Sequence, residues 1–394
     1  MRHLCRRLRK KRSPDGSRLL YLDRKKLMTR TPLKFLFLES FYGGSHARFA
    51  DGLVAASSHD IDLLTMPGQY WKWRMLGAAL YFAETAPDLS GYDGLIVSDL
   101  FNLADFLAVR GADCPPVLVY FHENQITYPQ PPGDKGAFQT GMINITTALA
   151  GRRLLFNSEF HRRSFLKAIP SFLNKGRDCR PEQATAAIAA KTGVIYPGIA
   201  PPAETPEKTP GETDPPLIIW NHRWSFDKNY ALFFEVLDEL AGREIPFRLA
   251  VLGENDGRVP PEFAAARRDL NSAIVRFGYV ESRREYLDWL QRGAIVVSTA
   301  EQENFGLAVL EAMAHGCIPL LPDRLAYPEI IPADCHDACL YSNRPELTRK
   351  LEAMLKDYDR YRPLSRILRR QAAACSWPRL IAAYDRELSQ LAGH

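Results

Sequence analysis

The sequence contains no uninterrupted run of eighteen apolar residues, which excludes a transmembrane helix. Cysteine is scarce, since the chain has only seven, and none of them forms a CxxC pair or another spacing typical of metal ligands. An odd number of scattered cysteines is typical of reduced thiols, so we expect a cytoplasmic protein without a bound metal. The basic first 30 residues also lack the apolar segment of a secretory signal.

Acidic residues are nearly absent from that first segment. Residues 1–30 hold twelve Lys or Arg and two acids, whereas the remainder has 39 basic and 44 acidic residues, so its net charge is −5 although the whole chain carries +5. We interpret the basic leader as a disordered tail, or as the product of an upstream start codon with translation beginning at Met28. A phosphate-binding arm is the alternative.

The length and patterning indicate two domains. A chain of 394 residues with 46% apolar residues can form two cores. Short β-branched runs alternate with helical patterns, which predicts α/β domains with doubly wound parallel sheets. Six prolines among acids and threonines are typical of an interdomain linker. We therefore assign residues 1–30 as a leader and 31–199 as a first Rossmann-like domain. Residues 200–216 are the linker, 217–375 a second Rossmann-like domain and 376–394 a terminal helix.

Residues 294–320 predict a strand, a loop, a helix and a second strand, and ligands of such sheets bind where a strand ends and a helix begins. Glu303 lies in this loop. The backbone N–H groups that follow it suit an anion and belong to Asn304, Phe305, Gly306 and Leu307. Glu311 falls in an otherwise apolar helix, where a buried carboxylate needs donors such as ribose hydroxyls. The alternatives are that Glu303 caps N–H groups of its loop and that Glu311 pairs with an Arg or Lys in the core.

The second half carries further candidates at its first two strand ends. The strand near 217–220 leads into a loop with Arg223 and Lys228, ahead of an amphipathic helix. Arg binds phosphates through its planar fork and Lys as a point charge, so this pair predicts a diphosphate clamp. The next strand ends at Gly253, which we place in the same site.

The first half repeats the strand-to-helix corner after its first strand. Gly43 and Gly44 lie at the corner, where a ligand's phosphates could approach the backbone, and a tight turn is the alternative. Ser45 and His46 follow, and they either cap the helix or face the ligand.

Polar side chains cluster after the predicted strand Val117–Phe121. His122, Glu123, Asn124 and Gln125 leave its carboxyl end together, and Asp99 lies at the end of the strand before it in the sequence. His122 could act as a base, donate to a sugar hydroxyl or be a satisfied edge histidine.

Aromatic and basic residues alternate in residues 70–81. Trp71, Trp73 and Arg74 could stack on bases and contact phosphates, together with Lys72. An aromatic core patch with cations reaching to solvent is the alternative.

Together these segments resemble a known family. The combination of FYGGSHARFADGL, WKWRM, YFHENQITYP, WNHRWSFDKN and ENFG resembles the tRNA-queuosine mannosyltransferase family over about residues 33–347, and the second half resembles a family-4 glycosyltransferase. The resemblance implies a GT-B fold, in which two Rossmann-like domains face each other across a cleft and the terminal helix crosses back to the first. It also implies transfer of mannose from GDP-mannose to the cyclopentenediol of queuosine in a tRNA anticodon, with the nucleotide sugar as co-substrate and no further cofactor.

The resemblance implies a role for each candidate. Arg223 and Lys228 would hold the diphosphate, Glu303 the sugar and Glu311 the ribose. The catalytic residues would be His122, Arg223, Lys228 and Glu303. The remaining donor contacts would be Gly43, Gly44, Gly253, Asn304, Phe305, Gly306 and Leu307. The acceptor contacts would be Ser45, His46, Trp71, Trp73, Arg74, His122, Glu123 and Asn124. The implied reaction is a retaining, metal-independent front-face displacement.

Two rival functions stay open from the sequence alone. One is a GT-B enzyme with a lipid, polysaccharide or small-molecule acceptor, and the other is a non-catalytic RNA-binding module of the same fold. The acidic net charge beyond residue 30 counts against tRNA, unless a local basic patch supplies phosphate contacts. Candidate patches are Lys72 with Arg74, Arg152 with Arg153, and Arg162 with Arg163.

Overall fold

A computed structural model describes residues 32–393 except 112, 130–135, 177, 179, 201–214, 255, 256 and 258. The predicted leader and most of the predicted linker therefore lie outside the described residues. The chain divides into two compact units. The first runs up to Gly198 and includes the residues from Trp377 onward, and the second comprises Ile199–Ser376.

The first unit contains six strands and six helices before residue 199, counted over its described residues. The strands are β1 (Lys34–Tyr42), β2 (Asp60–Pro67), β3 (Gly94–Ser98), β4 (Val117–Phe121), β5 (Arg153–Phe156) and β6 (Thr192–Val194). The helices are α1 (Gly44–Ala56), α2 (Trp71–Thr85), α3 (Leu103–Arg110), α4 (Ala137–Ala150), α5 (Glu159–Leu173) and α6 (Ala184–Ala189).

The strands of the first unit form one parallel sheet in the order β2-β1-β3-β4-β5-β6. Side chains alternate along each strand, so β1 sends Phe35 and Phe37 into one core and Leu36 and Leu38 into the other. Both faces of the sheet are covered, which explains why the strand sequences are apolar throughout rather than alternating. The strand order reverses between β1 and β3.

The second unit has the same design. Its strands are β7 (Leu217–Trp220), β8 (Arg248–Val251), β9 (Ile274–Phe277), β10 (Ile295–Val297), β11 (Ile318–Pro322) and β12 (Leu340–Tyr341). Its helices are α7 (Tyr230–Gly242), α8 (Pro261–Asp269), α9 (Arg283–Arg292), α10 (Leu307–Ala314), α11 (Tyr327–Ile330), α12 (His336–Cys339), α13 (Arg344–Lys356), α14 (Tyr358–Tyr361) and α15 (Leu364–Ala374). The sheet order is β12-β11-β10-β7-β8-β9, which reverses between β7 and β10.

The terminal helix α16 (Trp377–Leu391) belongs to the first unit. Its carboxylate Asp385 accepts hydrogen bonds from the Ser57 hydroxyl at 2.6 Å and from the Ser58 backbone N–H at 3.0 Å. These contacts hold the end of α1 to a helix that lies more than 300 positions later in the chain. The crossing of the terminal helix to the first domain is thus confirmed.

Two parallel doubly wound sheets confirm the predicted fold class. Among the helices that the structure describes, none is long and apolar enough to cross a membrane. The cysteines within the described ranges are free thiols, at positions 114, 317, 335, 339 and 375.

Candidate active site

The two sheets each place polar residues at the point where their strand order reverses. Parallel sheets with this topology bind ligands outside the carboxyl ends of the strands at that point. In the first unit the reversal lies between the ends of β1 and β3, and in the second unit between the ends of β7 and β10. Each unit holds one group of the predicted site residues.

An ion pair between Lys228 and Glu303 is the centre of the second unit's site. The Lys228 ammonium lies 3.3 Å from a Glu303 carboxylate oxygen and 3.1 Å from Asp227, and it donates to the backbone carbonyl of Gln302 at 2.7 Å. Lys228 is buried. Its loop follows β7 and the Glu303 loop follows β10, so the fold joins two residues that are 75 positions apart.

The surroundings keep both members of this pair charged. Burial alone would lower the pKa of Lys228, but attraction to Glu303 and Asp227 outweighs it and raises that pKa. Burial would raise the pKa of Glu303, and attraction to Lys228 lowers it instead. The neighbouring His222 is neutral at pH 7, because burial and the Lys228 charge lower its pKa to about 4.

The start of α10 carries the backbone N–H groups that the sequence predicts to bind an anion. Gly306 precedes the helix with φ of 95°, in the left-handed region where a side chain is strained. Glu303 accepts a hydrogen bond from the Phe305 N–H at 3.4 Å, so its carboxylate also caps the loop. The helix begins at Leu307, and the partial positive charge of the helix N-terminus lies at the same end of β10 as the ion pair.

Glu311 is buried on α10 and is already held by protein donors. Arg283 binds both of its oxygens, at 2.6 and 3.3 Å, and the Tyr286 hydroxyl donates to it at 3.2 Å. Three hydrogen bonds from protein donors thus already hold the Glu311 carboxylate in place. The pairing with Arg was one of the two sequence alternatives, and the role in ribose binding stays a prediction.

Arg223 and Gly253 lie beside the ion pair with different roles. Arg223 is exposed after β7, and its charge acts on Lys228 and Asp227. Gly253 has a structural reason of its own, because a Cβ there would lie 1.5 Å from the carbonyl oxygen of His222. The absence of a side chain at position 253 is therefore explained by chain packing, without a ligand.

The first unit's site is a buried cluster around two stacked histidines. The rings of His46 and His122 have centroids 4.1 Å apart. His46 Nδ1 lies 3.4 Å from Glu39, whose carboxylate also accepts from the Ser98 hydroxyl and from the Phe41 N–H, both at 2.9 Å. His46 is thus turned inward from α1 rather than capping it.

Neighbouring strands fix the backbone of His122. Its N–H donates to the carboxylate of Asp99 at 2.7 Å, and its carbonyl accepts from the Asn157 side chain at 2.8 Å. Phe49 meets the His122 ring edge-on, with centroids 4.8 Å apart. The ends of β3, β4 and β5 therefore hold this histidine in place.

The charges of the cluster differ from residue to residue. Burial would lower the pKa of His46, but attraction to Glu39 raises it to about 9. Burial and the nearby His46 charge lower the pKa of His122 well below its usual range, so His122 is neutral. Burial raises the pKa of Asp99 to about 8, against the attraction of His46. One imidazolium thus lies beside one neutral imidazole.

The other predicted residues of this corner divide by exposure. Gly44 and Ser45 are exposed at the start of α1, and Gly44 has φ of 53° with no atom within 4 Å of a would-be Cβ. Gly43 instead packs against Gly68.

Asn124 is buried and accepts from the backbone N–H groups at 126 and 127, so its side chain closes its own turn. Glu123 is half-buried and accepts from the next side chain, Gln125.

The aromatic segment at the start of α2 separates into inward and outward residues. Trp71 is half-buried and packs against a small apolar cluster with Met75, Leu100 and Ile143. Arg74 is buried and donates to the carbonyl of residue 67 at 3.3 Å. Trp73 has 62% of its surface exposed. The core-patch interpretation therefore describes Trp71 and Arg74, and Trp73 alone of the three presents its ring to solvent.

Two of the predicted basic patches are already engaged in ion pairs. Arg153 pairs with Glu387 at 2.6 Å, and Arg162 pairs with Glu159 at 2.6 Å. Their sequence neighbours at 152 and 163 are exposed.

Sequence reasoning missed Glu39 and passed over Asp99 as a site residue. Both are fully buried, at the ends of β1 and β3. A carboxylate that closes an apolar strand was the available signal. Glu39, His46 and His122 each bring one potential ligand atom within 4.8 Å of the others, a spacing that suits a cation. The metal-independent reaction stays a prediction.

Comparison with known families separates the two halves of the chain. Residues 34–199 match the family model described as tRNA-queuosine alpha-mannosyltransferase N-terminal, and residues 203–372 match glycosyl transferases group 1. The chain is 37% identical to the tRNA-queuosine alpha-mannosyltransferase of Drosophila melanogaster, over 80% of this chain and 85% of that protein. It is 28% identical to a GDP-mannose-dependent alpha-(1-6)-phosphatidylinositol dimannoside mannosyltransferase of Mycobacterium tuberculosis, over 45% and 44% of the two chains.

Solved structures share the fold. Sucrose-phosphate synthase from Thermosynechococcus elongatus matches with a TM-score of 0.66 at 15% identity, over 91% of this chain and 99% of that one. HepE of Anabaena, in complex with UDP and glucose, matches with a TM-score of 0.63 at 13% identity, over 91% and 100% of the two chains.

The chain has two doubly wound units and a terminal helix that returns to the first unit, and residues 203–372 match glycosyl transferases group 1. These features define a glycosyltransferase of the GT-B fold. The 37% identity to the Drosophila protein over 80% of this chain also shows the family. The chain belongs to the tRNA-queuosine alpha-mannosyltransferase family.

Proposed function

We propose that this protein transfers mannose from GDP-mannose to the queuosine of a tRNA anticodon, with retention of configuration at the anomeric carbon. The observation that carries the proposal is the 37% identity to a protein named for this reaction, which extends over 80% of the present chain. That extent includes both the acceptor half and the donor half.

The second unit holds the nucleotide sugar in this proposal. Arg223 and Lys228 bind the diphosphate, and the backbone N–H groups at the start of α10 face its oxygens. Glu303 accepts hydrogen bonds from sugar hydroxyls while Lys228 keeps it ionised, and Glu311 accepts from the ribose. GDP-mannose as the donor is supported by the shorter match to a GDP-mannose-dependent enzyme of Mycobacterium tuberculosis.

The first unit holds the tRNA. Its family model carries the tRNA-queuosine description, whereas the model for the second unit is generic to glycosyltransferases. Neutral His122 offers a hydrogen bond to a sugar or acceptor hydroxyl without repelling a cationic transition state. Gly44 and Ser45, which are exposed and directly precede His46, would contact the bound substrates in this proposal.

The reaction proceeds as a front-face displacement. The bond between the anomeric carbon and the leaving phosphate oxygen breaks while the acceptor oxygen bonds to that carbon from the same face. The acceptor hydroxyl proton passes to the departing diphosphate. Negative charge therefore grows on the leaving group, and Lys228 and Arg223 stabilise it there. This cationic clamp supplies the role that a metal ion has in other transferases, so we propose a metal-independent, cytoplasmic enzyme.

Label transfer tests the proposal directly. The protein is incubated with radiolabelled GDP-mannose and two preparations of the same tRNA, one with queuosine and one with guanosine at the modified position. Label is expected only in the queuosine-containing tRNA, and Glu303→Gln should lower its incorporation about 100-fold. Label in neither tRNA, with transfer to lipid or polysaccharide extracts instead, would contradict the tRNA acceptor and support the first rival function.

A further inference from the structure

Two aromatic side chains at the start of α2 are exposed to an unusual degree. Tyr70 has 75% and Trp73 62% of its surface accessible, the largest exposures among the described large apolar side chains. We call this pair the aromatic platform. Lys72 lies between them in the sequence, is exposed, and has its ammonium 5.5 Å from the ring of Trp71.

The Trp73 indole lies flat against its own helix. A Cβ at Gly77, one turn later, would lie 2.9 Å from Trp73 Cζ2 and 3.0 Å from Cε2. A glycine inside a helix is unfavourable relative to alanine, so its presence here needs a reason. The reason is space, because any side chain at 77 would lift the ring. The outer face of the indole is thereby presented to solvent as a flat surface.

Tyr70 is held in an unfavourable backbone conformation. Its φ of 55° and ψ of 50° lie in the left-handed region, which aromatic residues rarely adopt. No side-chain hydrogen bond caps the helix at this residue, so capping does not explain the conformation. Strained residues of this kind persist where surrounding structure enforces them, and they concentrate at binding sites.

The platform begins at the site edge of the sheet. Helix α2 follows β2, and β2 pairs with β1 from Asp60 to Pro67 with one irregularity near the end of the strands. The turns after these two strands touch, since a Cβ at Gly43 would lie 3.1 Å from the Gly68 α-carbon. The aromatic platform is therefore next to the corner that leads to His46.

We propose that Tyr70 and Trp73 stack on unpaired bases of the anticodon loop that flank the modified nucleotide. Flat aromatic faces combined with a cation are the surface that single-stranded nucleic acid requires, since bases stack and Lys72 attracts the phosphates. The inference rests on the proposed tRNA acceptor and adds the residues that position it. A protein or membrane partner would need a wider apolar face than two rings beside a lysine.

The affinity of the protein for a fluorescently labelled anticodon stem-loop tests the role of the aromatic platform. Trp73→Ala and Tyr70→Ala are each expected to weaken binding about 10-fold, because stacking contributes roughly 1–3 kcal/mol per base. Gly77→Ala should weaken it in the same direction by displacing the indole, although alanine favours the helix. The matched control is Leu80→Ala, which removes another exposed apolar residue of α2 and should leave binding unchanged.

Separate readouts distinguish failure of this inference from failure of the proposed function. All four variants should bind GDP-mannose with the same affinity. That result would show that they are folded. If the wild type modifies queuosine tRNA while Tyr70→Ala and Trp73→Ala bind RNA normally, the platform inference alone is wrong. If the wild type binds no RNA, both are wrong. Self-association of the wild type that the two variants abolish would assign the platform to a dimer contact instead.

Discussion

Lys228 is the residue on which the proposed donor site depends. Lys228 and Asp227 are buried and Glu303 is half-buried, and the Lys228 ammonium lies within 3.3 Å of both carboxylates. Removing one partner of a buried ion pair leaves an uncompensated charge, which costs more than the pair itself contributes. Stability and catalysis are thus linked at this position.

Lys228→Gln should lower kcat by about 100- to 1,000-fold, since it removes a donor to the leaving group. It should also destabilise the protein by about 3 kcal/mol, because Glu303 and Asp227 lose their cation. The double variant with Glu303→Gln should recover part of the stability but none of the activity. Urea denaturation and steady-state kinetics check both, and strictly additive losses of stability would contradict the pairing.

Glu39→Gln should make stability respond differently to pH. His46 has a raised pKa of about 9 in the folded protein against 6.5 otherwise, because Glu39 attracts its proton. The stabilisation is therefore complete below pH 6.5 and is lost as the pH rises through about 9. Its magnitude is on the order of 3 kcal/mol from the size of that shift.

The measurement is the free energy of unfolding of wild type and Glu39→Gln between pH 6 and pH 10. The gap between the two should be widest near pH 6 and should narrow above pH 9. Glu123→Gln, a change to a half-buried neighbour, is the control and should show a much smaller pH-dependent gap. A constant gap for Glu39→Gln across the range would mean that Glu39 acts through its hydrogen bonds alone.

At the scale of elements, the proposed diphosphate site depends on the backbone conformation at the start of α10. Gly306→Ala forces a side chain into the left-handed region at φ of 95°, at a cost of about 1–2 kcal/mol. The added Cβ would also lie 3.1 Å from the Tyr327 ring. We expect a lower melting temperature and a several-fold higher KM for GDP-mannose.

The control for this change is Gly242→Ala at the end of α7. That glycine has no atom within 4 Å of a would-be Cβ and no positive φ, so alanine there should be neutral or stabilise slightly. An unchanged KM in Gly306→Ala would show that the loop conformation does not matter for the donor.

The attachment of α16 gives a second prediction at this scale. Asp385→Ala removes the acceptor for Ser57 and for both the N–H and the hydroxyl of Ser58. Hydrogen bonds to a charged group contribute about 1.5–3 kcal/mol each, and the losses overlap, so we expect destabilisation of about 2–4 kcal/mol. Arg386→Ala, on the exposed side of the same helix, should change the denaturation midpoint little. Equal midpoints for the two variants would contradict the anchoring role.

Elements could be predicted because each leaves a local pattern in the sequence. The strand Val117–Phe121 and the helix after Gly306 follow from apolar runs and their breaks. The site was less accessible. That Lys228 meets Glu303 depends on two strand ends being neighbours, and nothing local to either residue says so. Glu39 left a local signal, a carboxylate near the end of an apolar strand, but its contact with His46 depends on how β1 and α1 pack.

At the scale of the whole molecule, the chain combines a unit that matches glycosyl transferases in general with a unit that matches one family. The class of each unit could be predicted, since motif order and length are properties of the sequence. The side of α2 on which Trp71 and Trp73 lie could not, because both are tryptophans two positions apart and only packing separates them. Arg74, which looked like a phosphate contact, is buried for that reason.

The measurement that matters most identifies the product. Queuosine-containing tRNA is incubated with the protein and GDP-mannose and then digested, and its nucleosides are weighed before and after treatment with α- or β-mannosidase. We predict a hexose-sized mass gain on queuosine that α-mannosidase removes and β-mannosidase does not, and that Glu303→Gln nearly abolishes. A gain that only β-mannosidase removes would contradict retention. No gain on queuosine, with intact donor binding, would contradict the acceptor.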